Sequence, residues 1–209
     1  MRTRLIHATS VELDLDELRR RLTQAGGPAV ALYGDDGAGR EAAAVTPASV
    51  LVPIVAHPGE LTLLFTQRTV HLRNHSGQVS FPGGRAEPGD ATPEVTALRE
   101  AEEEIGLRGA RVEVVARLPE YLTRTGFRVT PVIGVLEPPL ELAPDRREVE
   151  EIFEVPLAFF LDPANHQRRT REIEGQTVGY YVMQYGERVI WGATAGMLLN
   201  LYRRLACIE

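Results

Sequence analysis

The sequence predicts a mixed α/β domain, on three observations. Short apolar runs bounded by turn residues read as strands. A few segments carry a helical apolar stripe between capping signals. Strands and helices do not alternate regularly, which argues against a doubly wound parallel sheet. The chain has 209 residues, 44% of them hydrophobic and 25% charged, as in an ordinary globular protein.

Residues 14–25 read as the first helix: Asp14 as cap, Glu17 completing a capping box, Leu15, Leu18 and Leu22 as the stripe, Gly26-Gly27 as the stop. Gly34 to Gly39 is glycine-rich but lacks a strand-turn-helix setting, so it reads as a surface loop. Val50–Val55 and Leu61–Thr66 read as strands joined by a turn at His57-Pro58-Gly59. A helix follows over 93–105, with Thr92 as N-cap, Pro93 at the first helical position and Gly106 as its end. Val112–Leu118 and Arg128–Leu136 read as strands, 168–174 and 177–185 as a hairpin around Gly175, and 194–205 as a closing helix.

The charge balance narrows the chemistry. All 23 basic side chains are arginine and none is lysine. This excludes Schiff-base enzymes, pyridoxal-phosphate enzymes, and the phosphate-binding lysines of P-loop proteins and kinases. A net charge of -6 is unsuited to sequence-independent duplex binding, so no nucleic-acid partner is expected. The lone Cys207 suits a reducing cytoplasm and reads as packing, not as a nucleophile. No secretory signal and no apolar run near the roughly 20 residues of a membrane span is seen, so no membrane partner is expected.

Residues 84–107 hold seven acids and two arginines, a net of -5, against -1 for the rest of the chain. On the 93–105 helix, Val95, Leu98, Ala101 and Ile105 are expected to pack, with Glu100, Glu103 and Glu104 on roughly the opposite side. Spacings of three and four residues bring those carboxylates within one turn. Three like charges need neutralising, and a hard divalent cation such as Mg²⁺ or Mn²⁺ suits oxygen ligands. A solvated acidic face is the bland reading. Against it stand the missing lysine partners and the preceding Phe81-Pro82-Gly83-Gly84, an apolar strand end running into a loop.

Gly84, Arg99-Glu100, Glu103-Glu104 and Gly106-Leu107 closely resemble the Nudix box of the Nudix hydrolases. The sixth residue after Gly84 is Asp90 where the box has glutamate, and the loop to Arg99 is one residue longer. Leu63 to Gly84 is similar to the signature that precedes the box in coenzyme A diphosphatases, which share the longer loop and its aspartate. Ile190 to Ala195 is similar to the C-terminal segment of that group. The resemblance spans roughly residues 48–205 and implies a Nudix fold, an α/β/α sandwich around a mixed β-sheet. Residues 46–209 would form the domain and 1–45 an N-terminal helical extension, either packed or a homodimerisation arm.

The resemblance implies hydrolysis of the diphosphate bond of coenzyme A or a derivative, to 4′-phosphopantetheine and adenosine 3′,5′-bisphosphate. Its alternatives are a Nudix diphosphatase acting on NADH, ADP-ribose or a dNTP, and a non-catalytic binding module of the same fold. It implies metal ligation by Glu100, Glu103, Glu104 and the Gly84 carbonyl. Arg99 would orient the glutamates. The general base is open between Glu103 and the later run that holds Glu148, Glu150 and Glu151; a solvated turn is the other reading of that run. Arg68, Arg73 and Arg128 are candidates for the substrate phosphates, since a guanidinium fork pairs two oxygens at once. His75 is a candidate for a substrate or backbone bond.

Overall fold

The computed structural model describes residues 13–24, 45–71, 76–173 and 175–206. The expected Gly26-Gly27 stop, the Gly34–Gly39 loop, Arg73, His75 and Cys207 lie outside them.

Helix α1 (Leu15–Thr23) starts where Asp14 accepts a hydrogen bond from the Glu17 N–H at 2.8 Å, satisfying one of the free N–H groups of the first turn. Leu18 and Leu22 are fully buried, each contributing roughly 1.5–3 kcal/mol. Strands β1 (Thr46–His57) and β2 (Glu60–Arg68) form a hairpin in the register Ile54 to Leu63 through His57 to Glu60. Its turn needs Gly59 at φ 83°, a left-handed conformation that favours glycine. Two short strands follow, β3 (Val79–Ser80) on β2 and β4 (Gly83–Arg85) on β1.

Helix α2 (Pro93–Ile105) has the predicted bounds: Thr92 accepts from the Val95 N–H, and Gly106 ends it at φ 69°. Strands β5 (Glu113–Arg117), β6 (Tyr121–Leu122) and β7 (Phe127–Leu136) come next. Strand β8 (Val149–Pro156) then pairs with β2, and short helix α3 (Leu157–Leu161) follows directly. Strands β9 (Gln167–Ile173), β10 (Gln176–Tyr185) and β11 (Arg188–Trp191) form a separate antiparallel sheet, and helix α4 (Ala193–Ala206) closes the described chain.

The main sheet runs β3-β2-β1-β7-β5, with β4 on β1, β6 on β7 and β8 on β2. Only β1 and β7 are parallel among the described pairs; the others are antiparallel, so the sheet is mixed. Side-chain alternation along each strand separates two cores. Leu51, Val55, Leu64, Val132 and Leu136 meet Ala97, Ala101 and Ile105 of α2. Val52, Ile54, Leu63, Phe65 and Ile133 belong with Leu18 and Leu22 of α1 and Leu198 and Leu201 of α4. Helices therefore cover both faces, the α/β/α sandwich.

Two expectations need adjusting. Residues 146–148 of the run 145–151 form an exposed turn as expected, but the run continues into β8 from Val149. Acids at 148, 150 and 151 hide the strand's alternation, and the β8 register against β2 shifts between Gln67 and Arg68. On α2, Val95 is exposed and Glu104 is buried. The packed stripe is centred on Ala97 and Ala101, and Glu104 lies within about 20° of Ala97 at 100° per residue.

Candidate active site

The β4–α2 connection delivers the acidic helix onto the face of the sheet, over β1, β4 and β7. Gly83 has φ 153°, and a Cβ there would lie 2.4 Å from the Ser49 carbonyl. At Gly84 a Cβ would meet the Glu100 carboxylate at 2.6 Å. Both glycines are thus fixed by close approach.

Arg99 organises this region. Its Nε and Nη2 donate to the two Asp90 oxygens at 3.3 and 2.9 Å. Its Nη2 also donates to the Arg85 carbonyl at 3.0 Å. Nη1 donates to Glu100 at 3.0 Å and to Glu103 at 3.2 Å. Asp90 also accepts from the Glu87 N–H at 2.9 Å. The Arg99 fork, then that N–H, hold the Asp90 carboxyl down to about 2. The residue that departs from the general box is therefore the anchor of its arginine.

Glu104 sits differently. Only 8% of it is exposed. Burial pushes its carboxyl up to about 8, against the lowering by Arg68, with Glu100 and Glu148 adding like-charge repulsion. Burial also raises Glu100, opposed by Arg99. Arg68 places Nη1 3.8 Å from Glu104 and Nη2 3.8 Å from Glu148. Its buried Nε has no hydrogen-bond partner.

Glu148 arrives from a distant segment by backbone bonding. The Ala143 N–H donates to the Ile105 carbonyl at 2.8 Å and the Asp145 N–H to the Glu104 carbonyl at 2.9 Å, satisfying carbonyls left free at the end of α2. The Thr69 N–H donates to the Glu148 carbonyl at 2.9 Å. A cavity of about 340 Å³ results, lined by Glu100, Glu103, Glu104, Asp145, Arg147 and Glu148.

The structure brings Glu100, Glu103, Glu104, Gly84, Arg99 and Arg68 together around this cavity. Arg128, at the start of β7, pairs instead with Glu120 at 3.7 Å and does not line it. Glu151 turns away to Arg188 at 2.5 Å, and Glu150 is exposed at the start of β8. Asp145 and Arg147 were not singled out for the cavity by sequence; Arg147 binds Asp145 at 2.6 Å, and no local pattern connects that pair to α2.

The donors fit a hard divalent cation. They are all carboxylate oxygens, and carboxylates outnumber cations around a partly desolvated cavity. Among the described residues no three of them close around one point; Glu100 and Glu103 share the Arg99 Nη1. Arranged this way, the residues can bind a cation, take up a proton and face an anionic group through Arg68.

Residues 45–174 match the family model of the NUDIX domain. The uncharacterized Nudix hydrolase NudL of Escherichia coli K12 is 41% identical over 154 residues, 74% of this chain and 80% of that protein. NudL of Shigella boydii serotype 4 is 42% identical over the same extent. The crystal structure of the Nudix hydrolase RenU of M. smegmatis aligns with a TM-score of 0.46 at 26% identity, over 54% of this chain and 71% of that one.

Proposed function

The chain belongs to the Nudix hydrolase family, and from that premise we propose that it hydrolyses the diphosphate bond of coenzyme A and its derivatives. The Nudix hydrolase activity on a nucleoside diphosphate derivative follows from the family. The coenzyme A assignment is supported by the Leu63–Gly84 signature and by the Asp90–Arg99 fork, which gives the longer loop of that subfamily a structural purpose. The acidic cavity beside Gly84 is the observation that carries the reading.

Enzymes of this family generally use divalent ions such as Mg²⁺ or Mn²⁺. Here Glu100, Glu103, Glu104 and the Gly84 carbonyl would hold one. When bound, such an ion neutralises the diphosphate's charge and acidifies a water for attack on phosphorus. The chain's own residues do the rest. Arg99 holds Glu100 and Glu103 in place. Arg68, whose buried Nε has no hydrogen-bond partner among the described residues and whose Nη atoms stand 3.8 Å from Glu104 and Glu148, orients a phosphate. Glu148 takes the proton of the attacking water: it lines the cavity with Arg68 at 3.8 Å, whereas Glu103 is tied to Arg99 at 3.2 Å. The domain is residues 46–209, extended at its N-terminus, and it works in the cytoplasm. No helix of the described residues is long and apolar enough to cross a membrane.

Turnover of coenzyme A, its disulfide and acyl forms, NADH, ADP-ribose and dNTPs, with Mg²⁺ or Mn²⁺, tests the substrate. Coenzyme A ranking last would refute the assignment. Glu100→Gln is expected to abolish hydrolysis with the melting temperature near wild type; full turnover in that variant would refute the cation site.

A further inference from the structure

Gln67 and Arg68 are neighbours at the end of β2, and strand alternation sends their side chains to opposite faces. Arg68 faces the acidic cavity. On the Gln67 side lies a second cavity, of about 420 Å³, whose walls include Gln67, Val79, Glu187, Arg188, Val189 and Trp191. Adjacent residues of β2 thus serve the two cavities: Arg68 pairs with acids that line the first, and Gln67 lines the second.

The second cavity is built, with its cation already engaged. Arg188 donates through Nη1 to the Gln67 side-chain oxygen and through Nη2 to Glu151 at 2.5 Å. Its guanidinium lies 4.5 Å from the centre of the Phe153 ring. Trp191 is fixed from outside the cavity, by Tyr180 at 6.1 Å and by Arg171 over its ring at 5.5 Å. Of the charged side chains that line the cavity, Arg188 offsets Glu187. Val79, Val189 and Trp191 supply apolar wall, and Gln67 supplies an amide. Such a lining, with no net charge and its arginine already paired, suits an uncharged chain that carries amides and branched apolar carbon.

We infer that this cavity is a second subsite, which binds the neutral amide-bearing arm of the substrate and not its phosphorylated nucleoside end. The name of the arm, pantetheine, rests on the coenzyme A reading; the chemical class rests on the lining. A substrate spanning both cavities would place its diphosphate beside Arg68 and its arm against Trp191.

Trp191 is the one tryptophan of the chain, so its emission reports directly on this cavity. Metal-free protein is titrated with S-methylpantetheine, and separately with adenosine 3′,5′-bisphosphate. The same titrations are run on Val189→Glu, a change at an exposed residue. A saturable response to S-methylpantetheine alone, weakened at least tenfold in Val189→Glu, is expected. A response that does not saturate, one unchanged in the variant, or one given only by the bisphosphate overturns the inference. Coenzyme A hydrolysis by the same preparation, with Mg²⁺ restored, separates the two readings. Hydrolysis without arm binding removes the subsite and keeps the function; arm binding without hydrolysis removes the function and keeps the subsite.

Discussion

The Glu100 carboxylate fills the space that a side chain at Gly84 would need, since a Cβ there would lie 2.6 Å from it. The conflict is with the tip of a flexible side chain, so the fold can absorb it while the carboxylate moves. Gly84→Ala is expected to melt near wild type and to lose roughly 10- to 100-fold in kcat, because a displaced catalytic constellation is costly even at small shifts. Gly83→Ala is the contrast. Its Cβ would meet the Ser49 carbonyl at 2.4 Å with φ at 153°, so it should destabilise the fold by about 1–3 kcal/mol. Paired thermal melts and turnover measurements distinguish them; full turnover in Gly84→Ala would disprove the link.

Asp90 acts through Arg99. Asp90→Asn leaves the fork with a neutral partner and should lower kcat by about tenfold while KM changes little, the pattern of a lost positioning interaction. Asp90→Glu restores the charge and should recover part of the loss. Equal activity in wild type and Asp90→Asn would remove Asp90 from the site.

The assignment of the base is tested by substituting each acid in turn. Glu148→Gln should cost about 100-fold or more in kcat, within the usual range for general-base catalysis. Glu151→Gln breaks the pair with Arg188 and leaves the acidic cavity intact, so its kcat should stay near wild type. If Glu103→Gln stops turnover and Glu148→Gln does not, Glu103 is the base.

Stability should fall in acid through paired carboxylates. Hydrogen bonding from Arg117 holds Glu94 down to about 2 from 4.5, and Arg147 holds Asp145 down to about 2 from 3.8. A depressed carboxylate pKa favours the folded state above the unfolded value, and the gain is lost as pH falls through the folded value. The melting temperature should therefore drop between about pH 4.5 and 2. Arg117→Gln should melt below wild type at neutral pH, and the difference should close near pH 2. A constant difference across that range would show that Glu94 does not contribute by this route.

The parts of the fold that depend on local chemistry were legible in the sequence. Helix α2 matches its expected bounds because Thr92, Pro93 and Gly106 act within one turn of its ends. The proximity of Glu100 to Arg99 and Gly84 follows from spacing and a short loop. Glu104 lines the cavity with Glu100 and Glu103, but its burial is not legible, because helical periodicity identifies the apolar arc only roughly. Val95, apolar by type, is exposed, while Ala97 takes the core position. Glu148 could not be placed at the cavity from sequence, because it gets there through N–H groups of Ala143 and Asp145 that bond to the end of α2. Its neighbours' charges also concealed β8. The Trp191 cavity joins β2 and β3 to β11 across more than a hundred residues, and only the Ile190–Ala195 similarity hinted at that segment.

Arg21 donates to the Leu205 carbonyl at 2.7 Å, and Arg204 donates to the Leu22 and Gln24 carbonyls at 2.8 and 2.5 Å. Helices α1 and α4 thus cap each other's final turns, each supplying an arginine to carbonyls at the end of the other. The two behave as a reciprocal latch. A protease nick within α4 would release α1 although no peptide bond of α1 had been cut, and a cut in α1 would fray the end of α4. Susceptibility to digestion at these two sites, more than 180 residues apart in sequence, should rise and fall together.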